Sequence, residues 1–384
     1  MEAEDAAAVV EKLRARGLIV IDVSEQRIAS RDLLQRFRRV KSRELVIFTR
    51  QFATMIGAGL SMSRSLQVLY EQTQSPALRE AVAAVRTDVE SGATLSGALA
   101  RHPEVFPKVY VEMVRSGEAG GILDSVLSRL AGQLESDQEL RRKVRSAMAY
   151  PTVVLVLAAV VSAAMLVFVV PVFASMFEDL GGNLPLPTRV AMALSGLLTG
   201  PLGLVVLLGI ALGLYSFSRW RRTAAGRAWW DRAVLRLPLG VGEIARKVAI
   251  ARSSRTLGAL ISTGVPILRA FEITAATAGS QPVERALLAS RDSIRDGRRI
   301  HHTLQSEPAF PPMVSRMVAV GEETGDLTGM LGKVADFYES EVDAALGSLT
   351  SVIEPVMILI VGAIVGGVIV AMYLPMFRVF ELIQ

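Results

Sequence analysis

The chain has 384 residues, 51% of them hydrophobic, and a mean hydropathy of +0.41. At this length that balance points to membrane spans rather than one large soluble core. There is no cysteine, which excludes a disulfide framework, thiol chemistry and cysteine-ligated zinc, and the net charge of +5 is a small excess whose placement matters more than its size.

The N-terminus is acidic and lacks a cationic stretch leading into an apolar one, so no cleavable signal peptide is expected. Ala6, Val9, Val10 and Leu13 share a helical face, and residues 18–23 are apolar and β-branched, which predicts a small helix and a strand. Residues 27–43 carry seven Lys or Arg against one acid, Asp32. Such a run is either a solvated linker or a contact with anionic lipid or an acidic partner.

Residues 45–138 read as short helices with clear punctuation. An apolar-periodic stretch from Leu45 stops at Gly57 and Gly59, and Ser61 or Ser63 can cap the helix carrying Leu66 and Leu69. Ser75-Pro76 pairs an N-cap with a first-turn proline ahead of the stripe Leu78, Val82, Val85 and Val89, which Gly92 ends. A short helix around Leu95 to Leu99 breaks at Pro103, Pro107 starts one that Gly117 ends, and Leu123, Leu127, Leu130 and Leu134 open the longest. This is an all-helical bundle with no strand alternation.

Arg141, Arg142, Lys143 and Arg145 then lead into a segment uncharged to Phe177. The twenty residues separating Pro151 from Pro171 rise about 30 Å as helix, enough to span the hydrocarbon. After a Gly- and Pro-rich loop, residues 178–189, a second uncharged stretch at 190–218 is followed by Arg219, Arg221, Arg222 and Arg227. The arginine clusters put the large domains in the cytoplasm by the positive-inside rule. A third span, 355–377, ends in a short tail. Its flank is acidic, so only alternation places the C-terminus outside.

The chain repeats itself. Met113 to Leu123, read as Met-Val-Arg-Ser-Gly-Glu-Ala-Gly-Gly-Ile-Leu, returns as Met317 to Leu327, Met-Val-Ala-Val-Gly-Glu-Glu-Thr-Gly-Asp-Leu. Pro151 and Pro171 return as Pro355 and Pro375 at the same offset. Upstream, Gly59, Gly92, Leu99 and Pro103 pair with Gly264, Gly297, Leu304 and Pro308 after an allowance of one residue. A repeat this long is a duplicated domain with its membrane anchor. The expected organisation is an N-terminal segment (1–44), a first bundle (45–150), spans at 151–177 and 190–218 around an external loop (178–189), a second bundle (219–354), a third span (355–377) and an external tail (378–384).

Gly117, Glu118 and Gly121, with Gly321, Glu322 and Gly325, lie between two helices in both copies. They read as a corner in which glycine supplies positive φ and the glutamate caps the next helix. Glu135 with Glu139, and Glu339 with Asp343, stand at i,i+4 and form either a solvated acidic face or, with further oxygens, a cation site. Gly332-Lys333 lacks the upstream glycine of a phosphate loop. His102, His301 and His302 have no metal spacing and read as surface residues. Gly196 with Gly200, Gly209 with Gly213, and Gly362 with Gly366 are small-xxx-small pairs that let spans pack on each other or on a partner chain. The span interiors carry no charge, unlike most transporters, and the external loop is too short for a sensor domain.

Duplication, three spans and the twice-used Gly-Glu-x-x-Gly-x-Leu segment running into a Pro-bracketed span resemble the inner-membrane platform family of type II secretion and type IV pilus systems (GspF/PilC). The matching residues are Gly59, Gly92, Leu99, Phe106, Gly117, Glu118, Gly121, Leu123 and Pro151, and in the second copy Gly264, Gly297, Leu304, Phe310, Gly321, Glu322, Gly325, Leu327 and Pro355. The resemblance implies an all-α, polytopic inner-membrane protein with two homologous cytoplasmic bundles. It further implies a platform without enzymatic activity or cofactor that meets a hexameric motor ATPase, pilin or pseudopilin subunits and other inner-membrane assembly proteins, contacts lipid but no nucleic acid directly, and forms homodimers or higher oligomers. A transporter or channel component is the competing class. One difference separates the corners: Glu323-Thr324 stand where the first copy has Ala119-Gly120.

Overall fold

Every regular element among the described residues of the computed structural model is a helix. Those residues are 40–179, 185–199, 201–220 and 240–382, with Thr223, Gly226, Trp229, Trp230 and Ala233 between. The N-terminal helix and strand, the basic run before Val40, the middle of the external loop, Gly200, Arg221, Arg222, Arg227 and the last two residues lie outside them. Contacts divide the chain into two units, Met1–Pro107 and Lys108–Gln384.

The first unit holds α1 (Ser42–Gly57), α2 (Met62–Gln72), α3 (Pro76–Glu90) and α4 (Leu95–Ala100). The Glu44 carboxylate accepts from the Lys41 N–H at 3.2 Å and so satisfies a donor at the start of α1. Phe48, Phe52, Leu66, Leu69, Leu78, Val82, Val85, Leu99 and Phe106 are buried, and the Phe48 ring lies 5.8 Å from Phe52 and 6.0 Å from Phe106. These are the stripes expected from spacing. Ser61 and Ser75 occupy N-cap positions without a side-chain bond, whereas Thr94 caps α4 by accepting from the Gly97 N–H at 3.2 Å.

The second unit opens with α5 (Lys108–Gly120) and α6 (Leu123–Ala147). Only Met148 separates α6 from α7 (Ala149–Ala164), which passes through a π-helical turn, Met165–Val169, into α8 (Val170–Asp179). Pro171 contributes to that turn. Its nitrogen has no hydrogen and its ring crowds the carbonyl four residues back, so the helix widens by one residue instead of breaking. The second apolar stretch is two helices, α9 (Leu186–Thr199) and α10 (Pro201–Trp220), because Pro201 cannot continue the hydrogen-bond ladder of a helix coming from its N-terminal side.

Then come α11 (Val241–Ser262), α12 (Ile267–Thr277), α13 (Gln281–Arg295), α14 (Ile300–Gln305), α15 (Pro312–Thr324) and α16 (Leu327–Leu382). Helices α12 to α15 have 11, 15, 6 and 13 residues. The lengths of α2 to α5 are the same, in the same order. The duplication is therefore visible element by element. The 56 residues of α16 are unbroken, a rod of about 84 Å at 1.5 Å per residue.

Among the described residues, two helical stretches are long and apolar enough to cross a membrane, Leu123–Ser175 and Leu327–Leu374. Val170, Ala191, Val368 and Ala371 form a buried cluster joining α8, α9 and α16, with Met165, Leu166 and Met192 against it. The Thr188 hydroxyl donates to the Ala371 carbonyl at 2.6 Å. A Cβ placed on Gly196, Gly209, Gly213, Gly362 or Gly366 would meet nothing within 4 Å, so among the described residues these glycines are not points of close approach between this chain's own spans.

Candidate functional site: the two repeat corners

The corners are built from two kinds of glycine. Gly121 and Gly325 have φ of +67° and +76°, and a Cβ on either would meet no atom within 4 Å. They are needed for backbone conformation alone. Gly117 and Gly321 sit inside helices, so Gly117 does not end α5, which continues to Gly120. Their role is contact. A Cβ on Gly117 would lie 2.8 Å from Val126 Cγ2, and one on Gly321 would lie 2.9 Å from Leu327 Cα and 3.2 Å from the Asp326 carbonyl. Each corner thus folds the start of the next helix onto the glycine four residues before the turn.

Glu322 does not cap the helix that follows it. Its carboxylate accepts from the backbone N–H groups of Ile300 at 2.8 Å and His301 at 3.0 Å, capping the short α14, and it also meets His301 Nδ1 at 2.5 Å. Helix α14 precedes α15 in the chain, with Ile300 22 residues before Glu322, so only the tertiary fold brings cap and helix together. Burial pushes the Glu322 carboxyl upward, but the His301 side-chain bond and the two backbone N–H groups outweigh it, holding the group below the ordinary carboxylate range. His301 is accordingly not a surface residue; its side chain is 15% exposed. The cap of α16 is Asp326, whose Oδ1 accepts from the Gly329 N–H at 2.8 Å. At the equivalent place before α6 stands Ile122, with no side-chain cap.

On both sides of the first corner, α5 and α6 are fastened to the second copy. The Ser116 hydroxyl donates to the Thr263 carbonyl in the turn between α11 and α12. Glu112 pairs with Arg269 at 2.8 Å, Asp137 with Arg252 at 2.7 Å and Lys143 with Asp343 at 2.7 Å, while buried Gln133 donates to Thr256 at 3.1 Å. Sequence periodicity gives no signal for pairs more than a hundred residues apart. Repeat alignment also hides them, since they join non-equivalent positions.

The i,i+4 acids are partners in this seam and its surroundings. Lys143 lies 3.7 Å from Glu139 as well as against Asp343, and Arg255 holds Glu339 at 2.8 Å and Asp336 at 2.7 Å. The hydrogen bond that Lys143 donates to Asp343 raises the pKa of the ammonium above its ordinary value against the opposing effect of burial. Among the described residues, no group of three His, Cys, Asp or Glu is placed to hold a metal ion.

The family model described as "Type II secretion system (T2SS), protein F" matches residues 48–171 and again residues 253–375. That is the spacing that pairs Gly59 with Gly264 and Gly121 with Gly325. The type IV pilus assembly protein PilC of Thermus thermophilus is 46% identical over 385 residues, covering 99% of this chain and 94% of that protein. PilC of Myxococcus xanthus is 42% identical, covering 100% of this chain and 92% of that protein. The type II secretion system protein F of Vibrio cholerae is 34% identical, covering 100% and 95%. With two family matches in register with its internal repeat, and relatives alike over nearly their whole length, the chain belongs to the type II secretion system protein F family of secretion and type IV pilus assembly proteins.

Proposed function

We propose that the chain is the inner-membrane platform of a type IV pilus assembly machine, passing the movement of a cytoplasmic motor ATPase to pilin subunits as they leave the membrane. Higher identity to the relatives named as pilus assembly proteins than to that named as a secretion protein favours the pilus branch. In this reading 45–150 and 219–354 are cytoplasmic, 151–177, 190–218 and 355–377 cross the bilayer, and Gln384 faces outward. The observation that carries the reading is α16. One uninterrupted helix runs from a glycine corner through an apolar segment, so a displacement of the bundle reaches the membrane without an intervening hinge.

The platform is itself without catalytic activity and associates as a homo-oligomer. Gly362 and Gly366, open within the chain, are available to a partner's helix. The test is loss of the gene in its host, which is expected to abolish pili while the motor and pilin are still made. Retained piliation would overturn the assignment. Purified protein freed of motor is expected to show no ATP turnover, and reporter fusions after Gly182, Gly226 and Gln384 are expected to read outside, inside and outside.

A further inference from the structure

All three tryptophans of the chain, Trp220, Trp229 and Trp230, stand in one cluster at the end of α10. The Phe217 ring lies 6.0 Å from Trp220 and 5.6 Å from Trp230, and Trp220 lies 5.4 Å from Trp229. Thr223 and Gly226 bond back toward the end of α10 beside it. The Thr223 N–H and hydroxyl both donate to the Trp220 carbonyl, at 2.9 and 2.7 Å, and the Gly226 N–H donates to the Thr223 hydroxyl at 3.1 Å. A Cβ on Gly226 would come within 2.0 Å of the Trp220 carbonyl oxygen, so glycine is what permits this close approach. The rings are nevertheless not a core: Tyr215 is 59% exposed and Trp229 51%. The Arg219 guanidinium lies 5.8 Å from the Tyr215 ring centre, and no carboxylate pairs with it among the described residues.

An exposed ring cluster closing a long uncharged helix, with an arginine at its edge, has the composition of a membrane–water boundary. Rings with one apolar and one polar side settle at headgroup depth, and an arginine there reaches toward phosphate. We propose that Tyr215, Phe217, Arg219, Trp220, Trp229 and Trp230 form a binding site for anionic phospholipid, with the guanidinium on the headgroup phosphate and the rings at the glycerol level. The proposal rests on the reading that α9 and α10 cross the bilayer.

Because no tryptophan lies elsewhere, the emission of the full chain reports this site alone. The experiment compares protein in nanodiscs of phosphatidylcholine with protein in nanodiscs containing phosphatidylglycerol, using acyl chains brominated near either end. The expected result is stronger quenching by bromine near the carbonyl end, with a blue shift and a higher thermal midpoint when phosphatidylglycerol is present. Both lipid effects are expected to be lost in Arg219→Gln and kept in Arg219→Lys, the latter showing that the site still folds. Shallow quenching with no response to phosphatidylglycerol would overturn the lipid site while leaving the span in place. Absence of quenching by either lipid would overturn the span reading and the site with it.

Discussion

Gly121 and Gly325 end their helices in the same left-handed conformation, yet the rods that follow differ. After the first corner the helix starts at uncapped Ile122, yields at Met148 and loosens through the π-helical turn before Pro171. After the second, Asp326 caps a helix that runs 56 residues without a break, past Pro355 and Pro375. Equivalent prolines therefore do not dictate equivalent helices, since neighbouring packing decides whether a missing hydrogen bond opens the ladder. The first rod is further fastened along α6 by Gln133, Asp137 and Lys143, which all bond to the second copy. Duplication preserved the corner and left the rods free to diverge into a jointed one and a continuous one.

The comparison is broken most forcefully at the positive-φ glycines. A Cβ at Gly121 or Gly325 meets nothing within 4 Å, so Gly121→Val and Gly325→Val are expected to act through backbone strain of about 1 to 3 kcal/mol. Each is expected to abolish pilus output with normal protein in the membrane, and Gly325→Asn, which tolerates this conformation, is expected to retain part of it. Piliation assayed beside membrane abundance decides. Normal output from both valine variants would show that the corner merely connects, and loss of the protein that it serves folding.

Next come the contact glycines. Gly321→Ala forces a methyl against backbone of the following helix, whereas Gly117→Ala presses on the Val126 side chain. Overpacking of this kind costs about 1 to 3 kcal/mol, and the cost at Gly321 is expected to be the greater because backbone cannot rotate aside. Apparent thermal midpoints in detergent are the measurement, and equal losses would erase the distinction.

A smaller effect separates the caps. Glu322→Ala leaves the Ile300 and His301 N–H groups without their acceptor and is expected to cost about 1 to 2 kcal/mol. The folded carboxyl lies below its ordinary range, so its contribution is complete above the unfolded-state pKa and disappears as pH falls through the folded value. Acid titration of the midpoint is therefore expected to be steeper for the wild type than for Glu322→Gln. Smallest is Lys143→Ala. Its side chain is 37% exposed, and screening holds the loss to about 0 to 1 kcal/mol, read as a slight drop in midpoint that vanishes in high salt.

What the amino-acid sequence determined by itself is everything that rests on local periodicity and on self-comparison. Leu78, Val82 and Val85 line a core because their spacing follows the helix, Pro76 and Gly92 bound that helix through their own backbone limits, and the corners appear twice because the chain contains them twice. Tertiary structure alone decided the partners. Glu322 caps a helix whose first residue, Ile300, precedes it by 22 residues, His301 is drawn inward to meet it, and α5 and α6 bond across to α11, α12 and α16. A side chain's own type and spacing specify what it can bond to. Which distant helix is folded against it depends on burying every apolar stripe at once, and that is a property of the whole chain.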